Sequence, residues 1–229
     1  RVKRFAAAIV AIIFLLLLGV SLTHPGRVAL KTALLLPEVL PVVPVRPLGW
    51  LTEKPIQERV VYPSGDRQIE ADIYRPRDAR RHGAIILLLG VNPDMADPIF
   101  LRLIEGLARE GVVSLVPISA DLNSGKITLE DVETLIAAFQ YLEKQDFIDG
   151  SRIGYAGFCI GASLSILAAE DPRISERVAF VNAFGAYYDA YDLLEAISTR
   201  RIDYDGVHQD WSPNQLTLSV FTSHLLDAV

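Results

Sequence analysis

The residues best placed to do chemistry are Gly157-Phe158-Cys159-Ile160-Gly161, which join an apolar run (RIGYAGF) to a helical one (ASLSILAAE). Glycines on both sides of a nucleophile let the backbone turn sharply, so that the side chain projects above a sheet edge at the start of a helix. The pattern is G-x-S-x-G with cysteine in the nucleophile position. There the helix N-terminus and the amide of Ile160 favour a thiolate first and an oxyanion afterwards. The chemistry this predicts is acyl transfer through a thioester. The competing description makes Cys159 a small buried residue in an ordinary strand-to-helix turn. It is the single cysteine of the chain, which excludes an intrachain disulfide framework and a cysteine-based zinc site.

The elements that must hold this turn are legible around it. Val60–Tyr62 and Ile69–Tyr74 bracket the turn PSGDR and predict a hairpin. Ala84–Gly90 is an uninterrupted apolar run, as expected of a strand buried on both faces. Phe100, Leu103, Ile104 and Leu107 follow helical spacing up to Gly111, and Val112–Ile118 is the next strand. A helix is predicted from Thr128, with Asp131 three residues on as a capping-box variant and an apolar stripe from Leu129 to Leu142. Arg152–Phe158 and Val178–Phe184 are two further strands, on either side of a helix from Ile160. Strand alternates with helix throughout, so the fold class is α/β with a mainly parallel sheet and flanking helices.

With those elements in place, the sequence resembles the dienelactone hydrolase family of α/β-hydrolases, whose elbow reads G-[YF]-C-[LI]-G-G. Here GFCIG is followed by Ala162, and Gly90-Val91-Asn92 resembles the family's G-V-N segment. The resemblance covers about residues 56–190. It implies hydrolysis of carboxylic esters or lactones by a Cys-Asp-His triad, with a second oxyanion donor that maps to the amide of Leu88. It also implies an activating glutamate three residues before G-V-N, where this chain has Leu87. Dienelactone itself is therefore not the expected substrate. Past Tyr188 the sequence predicts a helix (Tyr191–Thr199), a polar loop and an apolar helix (Leu216–Val229), with no strand ending in the triad Asp and no segment carrying the triad His. An end in mid-helix and the absence of an initiator methionine lead to the expectation of a domain lacking its last strands, inactive as it stands.

Four histidines compete for the role of base. His24 falls near the apolar N-terminal segment and His82 precedes its strand, at the sheet edge opposite the elbow. His208, in DYDGVHQDW, is the weak candidate, since its loop could fold over the active edge; His224 lies on the last helix. Asp189 and Asp192 fall on the correct edge but suit helix caps. Asp203, Asp205 and Asp210 lack calcium-loop spacing, and Gly154, Gly157 and Gly161 lack dinucleotide-loop spacing, so neither a metal nor a cofactor is expected.

Composition sets the partners. The 229 residues carry 22 basic and 28 acidic side chains, a net charge of -6, and without Arg1, Lys3 and Arg4 the balance is 19 against 28. A nucleic-acid partner is excluded on that charge. Residues 5–23 hold no charge and as a helix would span roughly 28 Å at ~1.5 Å per residue, close to a bilayer core. With the basic cluster before it, residues 1–23 read as an uncleaved, single-pass transmembrane anchor with the N-terminus cytoplasmic and the rest extracytoplasmic. Residues 24–55 hold six prolines and read as an extended, semi-rigid linker. Residues 56–229 form the α/β-hydrolase-like domain. The expected function is a membrane-anchored hydrolase acting on small esters, lactones or thioesters. The alternative is a non-catalytic, hydrolase-like subunit of a membrane protein complex.

Overall fold

Buried Ile69, Ala71 and Ile73 alternate with Glu70 and Asp72, and this period of two, facing the buried Tyr62 across the turn, makes the first element of the domain a hairpin. In the computed structural model, which describes residue 19, residues 22–187 and residues 189–227, β1 (Ile56–Ser64) pairs antiparallel with β2 (Arg67–Arg75) through a two-residue loop in which Gly65 takes φ +59°. The outer face of the hairpin is held by Arg59, which donates to Asp72 and Glu70. The inner face buries Tyr62 and Ile73.

Four more strands complete the sheet: β3 (His82–Leu88), β4 (Val112–Pro117), β5 (Ile148–Phe158) and β6 (Val181–Phe184). Their order is β1-β2-β4-β3-β5-β6, antiparallel at the hairpin end and parallel from β4 onward. Helices supply the crossovers: α3 (Pro98–Arg109), the single turn α4 (Ala120–Asn123), α5 (Glu130–Glu143) and α6 (Ile160–Glu170). β3 is buried along nearly its whole length because the core lies on both sides of it. Leu135, Phe139, Tyr155 and Leu164 fill one side with Ile86. Leu87, Phe100, Ile104 and Ala156 fill the other, under α3. Asp97 caps α3 by accepting from the amides of Ile99 and Phe100, both at 2.8 Å.

Three sequence expectations are corrected here. Residues 24–55 are not an extended linker: α1 (His24–Val39) and α2 (Pro47–Leu51) are helices, and α1 packs along α3. The prolines were weighed as a density, but their positions decide. Pro25 sits in the first turn of α1, where its missing N–H has no intrahelical partner to lose, Pro37 falls in the last turn, where a single ladder bond near the helix end is given up, and the stretch between them is rich in helix formers. Thr23 caps the helix by accepting from Gly26, and Arg46 folds the following loop back by donating to the carbonyls of Pro37 and Val43. Second, Thr128 does not cap α5. Leu129 holds the cap position, and the Thr128 hydroxyl turns to the carboxylates of Asp121 and Asp131.

Third, the polar loop after α7 (Ala190–Thr199) is an antiparallel pair, β7 (Arg201–Tyr204) with β8 (Val207–Asp210), turned by Asp205 and Gly206 at φ +48° and +78°. An Asp-Gly pair between alternating residues is the signal for that turn. The chain then enters α8 (Gln215–Asp227). The expected membrane span at 5–23 lies almost wholly outside the described residues. Among the described residues no helix is long and apolar enough to cross a membrane.

Candidate active site at the C-terminal edge of the sheet

Cys159 is the single residue between β5 and α6, and its backbone takes φ +56°, ψ -131°. A non-glycine residue there is strained, of order 1–3 kcal/mol, and persists only where its surroundings hold it. They do so by backbone contacts. The Cys159 amide donates to the Phe184 carbonyl at 2.9 Å, and its carbonyl accepts from Ala162 at 3.0 Å. The side chain is exposed. The alternative of a buried filler thiol therefore does not describe this residue.

Glycine is required at both ends of the turn. A Cβ on Gly157 would lie 2.3 Å from the Gly161 carbonyl oxygen, and a Cβ on Gly161 2.3 Å from that of Leu88 and 2.6 Å from that of Leu89. The first turn of α6 thus rests directly on the end of β3, where Leu88 stands opposite Gly157 in the ladder. This brings together the amide of Ile160, which as a first-turn N–H has no partner inside its helix, and the strand end carrying Leu88. Gly90 presses on the nucleophile from the other side, since its Cβ would meet Cys159 Cβ at 3.1 Å and Sγ at 3.5 Å. A small cavity beside these residues is lined by Leu88, Leu89, Gly90, Pro117, Ser119 and Leu122.

The loop after β6 closes the other flank. Gly185 takes φ +72°, and the Tyr187 amide donates to the Ser163 hydroxyl on α6. Burial first, and the charge of the nearby Cys159 second, hold the Tyr187 phenol above its ordinary value. It stays a neutral O–H at neutral pH. Tyr187 and Gly90 belong to the site although neither was a candidate from sequence. Gly90 carried a signal in the G-V-N segment; Tyr187 carried none.

No histidine is hydrogen-bonded to Cys159 among the described residues. His208, on β8, is bonded to Asp203 across the hairpin, with both side chains exposed. His82 bonds Asp78 at 2.6 Å and the Gly111 carbonyl at 3.1 Å, at the opposite end of β3 from the elbow. His224 accepts from the Ile127 amide at 3.0 Å and donates to the Val220 carbonyl at 2.8 Å, a packing role. Asp189 caps α7 by accepting from Tyr191. Leu87 is 2% exposed beneath α3. Among the described residues no group of three or more His, Cys, Asp or Glu side chains is close enough to hold a metal ion.

The sheet ordered β1-β2-β4-β3-β5-β6, opened by an antiparallel hairpin, flanked by helices and carrying a glycine-flanked turn between β5 and α6, is an α/β fold with a mainly parallel sheet. No family model matches the chain. A curated protein of a Bradyrhizobium species, a probable 2-oxo-3-(5-oxofuran-2-ylidene)propanoate lactonase, is 34% identical over 65 residues, 28% of this chain. That match spans 25% of the lactonase's length. Among solved structures, the dienelactone hydrolase of Anabaena variabilis gives a TM-score of 0.47 at 18% identity, over 56% of this chain and 62% of that one. A hyperthermophilic esterase from Pyrobaculum calidifontis gives 0.45 at 18% identity, over 65% and 46%.

Proposed function

We propose that the protein is a hydrolase of the dienelactone hydrolase type that cleaves small carboxylic esters, lactones or thioesters through Cys159. The observation that carries this reading is the strained, exposed cysteine held between three glycines at the C-terminal edge of the sheet. The Cys159 sulfur attacks the substrate carbonyl carbon, and the amides of Ile160 and Leu88 receive the oxyanion. Collapse of the intermediate expels the alcohol, which takes up the proton the thiol has lost, and leaves a thioester on Cys159. Water must then release the acid. The partial match to a lactonase supports the substrate class. The buried Leu87 in place of the family's glutamate argues for a substrate other than dienelactone.

With no histidine bonded to the thiol among the described residues, deacylation has no activated water, and the expected result is single turnover. Mixed with a p-nitrophenyl ester, the 229-residue chain should release about one equivalent of nitrophenol and stall, and Cys159→Ala should remove that release. Sustained turnover lost on His208→Ala would instead make His208 the base. A second reading, a non-catalytic hydrolase-like subunit of a membrane complex, is favoured by the engagement of His82, His208 and His224 elsewhere. It requires that thiol-directed acyl probes leave Cys159 unlabelled and that the chain co-purify with a stable assembly.

The charge-free run at 5–23 and the basic cluster before it support a single-pass anchor with the domain extracytoplasmic. Protease added to intact spheroplasts should then degrade the domain while cytosolic markers survive. Full protection would reverse the orientation.

A further inference from the structure

The end of the sheet opposite the elbow has a character of its own. Lys31 pairs with Glu110 and Leu35 lies over Gly106, so α1 and α3 run antiparallel and the chain enters α1 at the end where α3 finishes. At that same end His82 begins β3 and bonds Asp78 and the Gly111 carbonyl. α2 finishes there as well, because Arg109, the last residue of α3, donates to the carbonyls of Thr52 and Glu53. Whatever precedes α1 in the chain is therefore delivered to this corner of the domain.

The corner is apolar at its tip and cationic around it. Trp50 and Leu51, which close α2, are 77% and 68% exposed. Next to them opens a cleft of about 310 Å³ whose charged lining is Arg77, Arg80 and Arg109 against Glu53 and Asp78. The Asp78 carboxylate is engaged by His82 and Arg80, which hold it well below the usual carboxylate range. Glu53 faces Arg77 at 3.9 Å. Two other carboxylates here are also taken up, Glu58 by Arg75 and Glu110 by Lys31.

The charge is unevenly divided along the chain. Residues 24–54 and 75–81 hold eight basic side chains against three acidic ones, whereas 55–74 and 82–229 hold eleven against 25. At the corner itself the cleft carries three arginines against two carboxylates.

We propose that Trp50 and Leu51, with the arginines of the adjoining cleft, form a face that lies on the headgroup layer of an anionic lipid bilayer. This rests on the reading of residues 5–23 as the anchor. A tryptophan at an interface, flanked by arginines, is the arrangement that side chains adopt at headgroup level. The excess of arginine over carboxylate in the cleft lining favours phosphate-bearing lipid. The elbow lies at the other end of β3, roughly 20 Å away at ~3.3 Å per residue. It is turned from the bilayer, so substrate reaches Cys159 from water.

The test uses the whole 229-residue chain in vesicles of phosphatidylcholine with or without phosphatidylglycerol, each prepared with lipids brominated near the headgroup. The Trp50 contribution is the difference between the parent and Trp50→Phe. Flotation of the chain with both kinds of vesicle reports the anchor; quenching of Trp50 reports the docked face. The expected result is strong quenching in anionic vesicles, weaker quenching in zwitterionic ones and loss of the difference at high salt. Arg77→Gln with Arg80→Gln should lower the docked-to-undocked ratio about 25-fold, taking about fivefold per arginine near an anionic surface. A chain that floats while Trp50 stays unquenched and open to iodide overturns the docked face and leaves the anchor standing. Equal quenching in the two vesicle types overturns the electrostatic basis. Failure to float removes both.

Discussion

Gly161→Ala is expected to cost about 3 kcal/mol of stability or more, an effect usually reserved for the loss of a large core side chain. The added methyl would meet the carbonyl oxygens of Leu88 and Leu89 at 2.3 and 2.6 Å and the Leu88 carbonyl carbon at 2.9 Å. These are backbone atoms, not the yielding tip of a side chain. Leu88 is laddered to β5 and its strand to β4, so β3 cannot retreat without breaking parallel pairing on both sides. α6 must move instead, and with it the Ile160 amide. Gly150→Ala is the matched control, since nothing lies within 4 Å of the position its Cβ would take. Urea unfolding followed by circular dichroism reads both. A Gly161→Ala protein within about 0.5 kcal/mol of the parent, the ordinary range for a surface change, would mean that the close approach of helix and strand is not what holds the elbow.

Cys159→Ser should lower the rate of acylation by about 10³-fold or more, although oxygen replaces sulfur with little change in shape. The reason lies in what is absent around the side chain. A serine hydroxyl becomes a nucleophile when a base withdraws its proton, and no histidine is hydrogen-bonded to residue 159 among the described residues. A thiol ionises far more readily and at a helix N-terminus needs less help. Stopped-flow release of nitrophenol from an activated ester compares the two. A serine variant within tenfold of the parent would show that a base does reach this position, and His208 would be the first to test.

The parts of this arrangement that could be seen in the sequence share a property: their signal is local. GFCIG stands between an apolar run and a helical run, so both flanks of the turn are written beside it. The strand ending at Leu88 is equally legible, because burial on both faces leaves an unbroken apolar stretch. The contact between those two elements is not local. That Gly161 must be bare because it touches Leu88 follows from β3 lying next to β5, 73 residues apart in the chain at those positions. Tyr187 reaches Cys159 for the same kind of reason, since β6 lands beside β5 and the loop after it bends over α6 at Ser163.

Residues 24–39 teach the opposite lesson. Their helix was written locally, in the positions of Pro25 and Pro37 and in the cap at Thr23, and was obscured by averaging the prolines over the whole segment. The hairpin at 201–210 likewise had its marker in Asp205-Gly206, between Tyr204 and Val207, within the stretch read as a polar loop. All eight strand residues of that hairpin are exposed, Ile202, Tyr204 and Val207 included, so burial gave it no apolar run to read.

The central claim is that Cys159 itself accepts the acyl group. It is tested most directly by incubating the chain with p-nitrophenyl acetate, digesting it and locating the adduct by mass spectrometry. A single acetyl thioester on Cys159, released by hydroxylamine and missing in Cys159→Ala, is the predicted result. An unmodified Cys159 with acetyl groups scattered over lysines would contradict it.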